Sequence, residues 1–413
     1  MSQSACTPDP SALKTYGDAL ALLRERAVPV AERERIPLAE CLGRVLAESV
    51  VSPIDVPGWA YSAMDGYAVR SAEVVESGAR LPVTQRVPAG VRPGPLDAGT
   101  AARIFTGAPV PSGADAVVPQ ESCRQEGGAV VVEGPVTPGM NVRLPGEDVA
   151  RGAQVLEAGL RLLPQHLGLA ASVGTVELSV YRRLRVALFC TGDELIPPGE
   201  ALTAGKIYNS NAFTARGLLE SLGCEVLDLG IVADDPAATE AALRQGAAEA
   251  DLILASGGVS VGEEDHVKPA LERLGTLEMW RIAVRPGKPL AFGRIGETPF
   301  LGAPGNPVSL FATFLLFVRP FILRRQGRRD VLTRPRRALA GFDWPRPDRR
   351  REFHRARLER DADGRERVVV YPSRSSGVLS SVAWADGLVE IPEGRVISPG
   401  DEVDFHPFCE LLS

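Results

Sequence analysis

Several short stretches carry most of the side chains that could do chemistry. In "ASGGVSVGEEDH", residues 255–266, Ser256, Gly257, Gly258 and Ser260 precede Glu263, Glu264 and Asp265. Glycine adds no Cβ and tolerates positive φ, so backbone N–H groups in such a stretch can approach an anion closely, and phosphate is the natural guest. A carboxylate beside a phosphate repels it unless a cation lies between, so these acids imply bound Mg²⁺. For Glu263 and Glu264 a second reading stands beside this one: an acidic first turn of the next helix, favoured by the helix dipole. Asp265 is read as functional.

Two more acidic ends follow apolar runs. "FCTGDEL" offers Thr191, Gly192, Asp193 and Glu194, and "VADDP" offers Asp234 and Asp235. Either alone could be a turn or a cap, and Asp235-Pro236 makes a good helix start. Three acidic strand ends on one edge point instead to a shared cation. "RIAVRPGKPLAF" supplies the opposite charge, Arg281, Arg285 and Lys288, around a Pro-Gly turn that would hold an oxyanion facing the metal. "GAPGNPVS" places Pro304, Gly305 and Asn306 before a helix that starts at Pro307, a further anion-binding end, although a plain cap explains Asn306 alone equally well.

The elements that must carry these residues can be read from periodicity. From Leu184, the apolar runs "LRVALFC", "CEVLDLGIV" and "ADLILAS" alternate with "NAFTARGLLESLG" and "PAATEAALRQGAAEA", which have helical spacing. Strand and helix in alternation mean a parallel sheet with helices on both faces, and ligands collect beyond the carboxyl ends of its strands. Upstream, Ser11 to Ala27 and Leu38 to Val50 read as two helices that open a long arm. Short Val-rich runs then suit a small β domain, and "LRLLPQHLGLAASVG" returns to helix. The Arg/Pro-rich stretch "RRQGRRDVLTRPRR" reads as a solvated linker, with anion binding as the alternative, and the remaining segments read as a second β domain. The division expected is 1–50 plus 145–182 for an elongated helical and linker part, 51–144 for a β-rich domain, 183–328 for the α/β domain, and 336–413 for a C-terminal β domain.

Composition narrows the function. The chain has 413 residues, 45% apolar and 24% charged, with a net charge of −6, so nothing draws it generally to nucleic acid or anionic lipid. Its longest apolar run, Val308 to Val318, is shorter than the ~20 residues of a membrane span and reads as a buried helix. Cys6, Cys41, Cys123, Cys190, Cys224 and Cys409 lie far apart with no zinc spacing, which suits reduced thiols in a cytoplasmic protein. "MSQSACTPDPS" is too polar for a signal peptide. Trp59 and Met64 are expected to pack under a loop, and His266 to belong to a helix turn rather than to a metal site.

These motifs, with "DVPGWAYSAMDGYAVR" and "RIFTGAPVPSGADAVVPQE", closely resemble the MoeA family of molybdopterin molybdenumtransferases, related to the E domains of gephyrin and of its plant counterpart. The resemblance implies an elongated homodimer of four-domain chains, with a central molybdopterin-binding sheet and a C-terminal barrel-like β domain. It implies insertion of molybdate into adenylylated molybdopterin with Mg²⁺, giving molybdenum cofactor and AMP, and a molybdopterin-adenylylating partner enzyme upstream. Asp65 and Thr106 would face Glu194, Asp234 and Asp265 across the dimer interface, with those three acids as metal ligands. Arg355 and Ser376 would be added by the C-terminal domain. One departure concerns Arg281 and Arg285, where many relatives have lysine. Guanidinium still binds oxyanions in a planar fork, but proton donation then falls to Lys288. The alternatives are a molybdopterin adenylyltransferase of the same nucleotide fold, against which the flanking "SAMDGYAV" part argues, and a gephyrin-like binding scaffold.

Overall fold

Parallel neighbours need crossover connections, and the alternation after Leu184 supplies them. The protein is seen in a computed structural model that describes residues 13–259, 265–361 and 363–412. Strands Glu225–Val232, Arg185–Thr191, Leu252–Ser256 and Thr298–Ala303 lie side by side in that order, all parallel. Antiparallel strands Pro289–Ile295 and Thr276–Arg281 complete the six. This is the expected doubly wound, mostly parallel α/β sheet. Successive residues of a strand face opposite sides. Val186 and Leu188 pack with helix Ser210–Ser221 in one core, and Ala187 and Phe189 pack with helix Pro236–Glu249 in the other. Each large side chain so buried contributes about 1.5–3 kcal/mol.

The Val308–Val318 run forms part of a helix that continues from Pro307 to Arg325 with a π-helical turn at Phe314–Val318. By length and composition it could cross a membrane, but 89% of its most apolar window is buried inside this protein. Helix Tyr16–Arg26, capped by Thr15, packs in the same core through Ala19, Leu20 and Leu23.

Beyond it lies the closed C-terminal β-barrel. Strand Arg351–Arg360 pairs with both Glu366–Val370 and Gly387–Ile391, which shuts the sheet on itself. A two-residue strand, Val284–Arg285, runs parallel to the start of Arg351–Arg360 and ties the cationic turn to the barrel. The N-terminal β unit is a separate mixed sheet of six strands with its own cores.

The arm joining it to the central sheet differs from expectation. Leu38 to Val50 is not a helix, because a single 3-10 turn, Leu38–Glu40, is followed by Gly43 at φ 77°. Apolar residues at helical spacing are buried here by pairing instead. Strand Arg33–Pro37 pairs with Glu177–Tyr181, Leu46 bridges Val180, and Val50–Val51 pairs with Gln154–Leu156. The arm is therefore a two-stranded ribbon around Cys41, Leu46, Leu162 and Leu178, with helix Pro164–Ser172 at its base. The arginine stretch is not a freely solvated linker either. Gln326 and Val331 are buried, the Gln326 amide donates to the Leu222 carbonyl (2.8 Å), and Gly327 lies against the Tyr181 ring.

Arm and sheet meet at Asp251, whose carboxylate accepts two bonds from Arg182 (2.9 and 3.0 Å) and one from the Arg185 amide (2.8 Å). Burial alone would raise its pKa, but these bonds outweigh it and hold the group below the usual carboxylate range. Stability from such a group is present above the unfolded value of ~3.9 and is lost as pH falls through it toward the folded value. Asp251→Asn should cost about 1–3 kcal/mol at pH 7. In thermal melts the gap between the variant and the natural chain should narrow as pH drops from 5 to 3.

Candidate functional site

The carboxyl ends of all four parallel strands open into one cleft of about 1000 Å³. Strand Arg185–Thr191 has the second strand on one side and the third on the other, so the chain reverses its direction of winding between Thr191 and Ser256. Such a switch point leaves a crevice between diverging loops. Thr191 and Gly192 enter the cleft from the first strand, Asp234 from the second, Gly257 and Gly258 from the third, and Pro304, Gly305 and Asn306 from the last. Glu194, Asp265, Arg285, Lys288 and Ser376 line the same space.

Backbone geometry there requires glycine. Gly257 and Gly258 have φ of 93° and 63°. A Cβ on Gly257 would stand 2.6 Å from the Thr191 carbonyl oxygen, and one on Gly258 would stand 2.9 Å from Thr191 Oγ1 and 2.5 Å from Val267. Thr191 Oγ1 is buried with no hydrogen-bond partner. A buried hydroxyl without a partner costs free energy, and this one lies beside the bare backbone.

Charges are arranged around this floor. The first two loops are stitched together: the Asp193 amide donates to Asp234 Oδ2 (3.0 Å) and the Asp234 amide to Asp193 Oδ1 (3.2 Å). The Glu194 carboxylate lies over Gly192, where a Cβ would meet it at 2.5 Å. Opposite them, the Arg285 guanidinium is braced from the barrel by Asp348 (3.7 Å) and by buried Glu352 (4.0 Å). Burial would raise the Glu352 pKa, but a 2.9 Å bond to His354 and the charge of Arg285 pull it below the usual range. Gly287, at φ 108°, presses the turn onto Thr313 of the long buried helix. Lys288 is exposed and is the one lysine lining the cleft among the described residues.

Three family models cover the chain in sequence: the MoeA N-terminal region (domain I and II) over residues 14–174, a probable molybdopterin binding domain over 187–324, and the MoeA C-terminal region (domain IV) over 337–408. The chain belongs to the MoeA family. It is 39% identical to a molybdopterin molybdenumtransferase of Haemophilus influenzae, across 92% of this chain and 95% of that one. It is also 39% identical to molybdopterin molybdenumtransferase 2 of Mycobacterium tuberculosis, across 87% and 91%. The crystal structure of the molybdopterin biosynthesis MoeA protein from Pyrococcus horikoshii superimposes with a TM-score of 0.84 at 31% identity, covering 96% of this chain and all of that one.

Not every residue singled out from the MoeA motifs reaches the cleft. Ser256 is buried beneath it, accepting from the Asn211 amide (3.0 Å). Arg281 ends its strand outside the lining, and Ser260, Glu263 and Glu264 lie outside the described residues. Arg355 is 1% exposed and acts from behind, donating to Ser381 Oγ (2.9 Å) and to the carbonyls of Ser373 (2.6 Å) and Ser375 (3.2 Å). It thus holds the loop that presents Ser376. Asp65 and Thr106 sit in the N-terminal β unit and do not line this chain's own cleft. Asp65 accepts from the Thr106 amide (2.8 Å) and hydroxyl (2.9 Å), which hold its carboxyl below the usual range. Trp59 and Met64, expected under a loop, are instead 60% and 40% exposed, on a turn closed by the Ser62 hydroxyl donating to the Met64 carbonyl (2.6 Å). His266 is the N-cap of helix Val267–Leu274, as its sequence context suggests.

Sequence reasoning missed Asn211, which joins Ser256 to the Gly305 carbonyl (2.7 Å), and the cleft-lining Arg350 and Arg374. The polar run "YNSN" and the loop "SRSSG" were the available signals. Gly257→Ala should destabilise the chain by about 1–3 kcal/mol, read as a lowered midpoint in thermal melts. Gly305→Ala, with its nearest neighbour at 3.7 Å, should leave the melting temperature within a degree or two.

Proposed function

We propose that this chain is a molybdopterin molybdenumtransferase that takes adenylylated molybdopterin and molybdate and yields molybdenum cofactor and AMP. One observation carries this reading: an anion cradle, three acids and the cationic turn of Arg285 and Lys288, from five separate loops, meet in a single cleft. An upstream enzyme that adenylylates molybdopterin would supply the substrate.

The glycine backbone at 257–258 and the turn at 304–306 would hold the substrate's pyrophosphate, with the Thr191 hydroxyl as a hydrogen-bond donor. Arg285 and Lys288 would hold molybdate on the opposite wall. Binding both reactants in fixed relation removes much of the entropic barrier to their reaction. Bracing by Asp348 and Glu352 fixes the Arg285 fork before the oxyanion arrives, so little reorganisation is needed. Lys288 can deliver the protons that oxide ligands need to leave as water.

Among the described residues no three acids form a ready-made metal cage. Mg²⁺ requires no such cage, because it binds through one or two carboxylates together with substrate phosphates. Glu194, Asp234 and Asp265 are the hard oxygen donors that would hold it. Held there, it would supply Lewis-acid neutralisation of charge on the phosphate of the departing AMP.

Asp65 and Thr106 would complete the cleft of a second copy in a homodimer with a shared site. Asp265→Ala should abolish molybdate-dependent AMP release from adenylylated molybdopterin while leaving the circular dichroism melt intact, and full activity would overturn the assignment. Arg285→Ala should raise the KM for molybdate more than that for the pterin. Asp65→Ala and Asp265→Ala, each inactive alone, should recover about a quarter of natural activity when unfolded and refolded together, because half of the dimers then carry one intact site. No recovery would place Asp65 outside the shared site.

A further inference from the structure

A second concave site lies at the seam between arm and central sheet. It is a pocket of about 330 Å³ into which Arg161 and His166 project from the arm and Arg328 and Arg329 from the stretch after the long helix. Arg329 is paired with Glu157 across the seam. Arg161 and Arg328 take part in no ion pair among the described residues, although Asp330 lines the same pocket. Burial, and then the Arg161 charge, pull the Arg328 pKa below the usual arginine range against the opposing effect of Asp330. Arginine stays protonated at any physiological pH, so the pocket holds two facing cations in a partly desolvated space.

The walls are built rather than incidental. Gly159 and Gly327 both have φ 86°. A Cβ on Gly159 would stand 2.8 Å from Arg329 Cγ, and one on Gly327 would stand 2.3 Å from the Tyr181 ring. The Arg329 amide donates to the Gly159 carbonyl (3.3 Å), which closes the seam. His166 Nδ1 accepts the Leu163 amide (3.0 Å), so the neutral ring carries its proton on Nε2 as a further donor.

We propose that this pocket binds a compact, multiply charged phosphate anion of pyrophosphate size, with Arg161 and Arg328 as its two forks, and that the bound anion clamps the arm onto the central sheet. Planar guanidinium forks match phosphate oxygens bidentately, and the volume lies at the lower end of small-molecule sites. The pocket is distinct from the cleft, and the proposal does not depend on how the cleft is read. Because the arm carries the N-terminal β unit, occupancy would stiffen the connection through which Asp65 is presented.

Hydrogen exchange on the intact chain tests this, with inorganic pyrophosphate and ADP as separate probes and sodium chloride at matched ionic strength as the control. Amides of 157–166 and 326–330 should gain protection that saturates, and Arg161→Gln/Arg328→Gln should weaken the effect at least tenfold. Tighter protection by ADP would identify a nucleotide as the source, and equal or tighter protection by pyrophosphate the free anion. Removing two like charges should leave the melting temperature unchanged or higher. Should the double variant fold poorly, Arg161→Gln alone carries the same test. Protection that chloride reproduces, that does not saturate, or that survives the substitutions would overturn the proposal.

Discussion

The floor of the cleft depends on how closely the ends of strands Arg185–Thr191 and Leu252–Ser256 approach each other. Parallel pairing brings Cys190 beside Ser256, so the two loops leave the sheet side by side. Any side chain at Gly257 or Gly258 would collide with Thr191. Only bare backbone fits, and bare backbone offers N–H groups without steric cover. The acids of neighbouring strand ends surround that floor because a switch point gathers several loops at one edge. Sheet topology, glycine placement and charge placement are thus one arrangement seen at three scales.

The barrel completes it from outside. Strand Val284–Arg285 pairs with the first residues of the barrel strand, which sets Arg285 against Asp348 and Glu352. A guanidinium so flanked is oriented but not consumed, since neither carboxylate lies at hydrogen-bonding distance. Glu352 is engaged by His354, whose ring packs on Trp344 (4.4 Å), and Trp344 in turn carries Arg374 at 3.6 Å. Two cleft cations, Arg285 and Arg374, therefore rest on one buried network. The chain as a whole is acidic, so any attraction for an anion must come from local groups such as these.

Much of this was legible in the sequence because its signals are local. Strand and helix alternate with different periods, and glycine runs at strand ends mark positions where a Cβ cannot fit, so the central sheet and its carboxyl edge could be derived. Resemblance added the MoeA family, Asp65, Thr106 and the C-terminal residues, none of which periodicity could supply. What escaped depended on contacts between distant segments. The apolar spacing of Leu38 to Val50 suits a helix, yet pairing with residues 154–180 draws it into a ribbon. Arg355 resembles a ligand by position in the family pattern, but burial turns it into a support for the loop ahead of Ser376. The arginine stretch looked solvated because nothing local reveals the Tyr181 ring and the arm that it packs against.

The proposed function stands or falls on where the phosphates of the adenylylated pterin come to rest. A crystal of the chain with that substrate and Mn²⁺ in place of Mg²⁺, with anomalous scattering collected to place the metal, addresses it most directly. The account predicts the pyrophosphate on the backbone of Gly257 and Gly258, with the metal between it and carboxylates drawn from Glu194, Asp234 and Asp265. A pyrophosphate bound elsewhere, or a metal held away from all three acids, would contradict it.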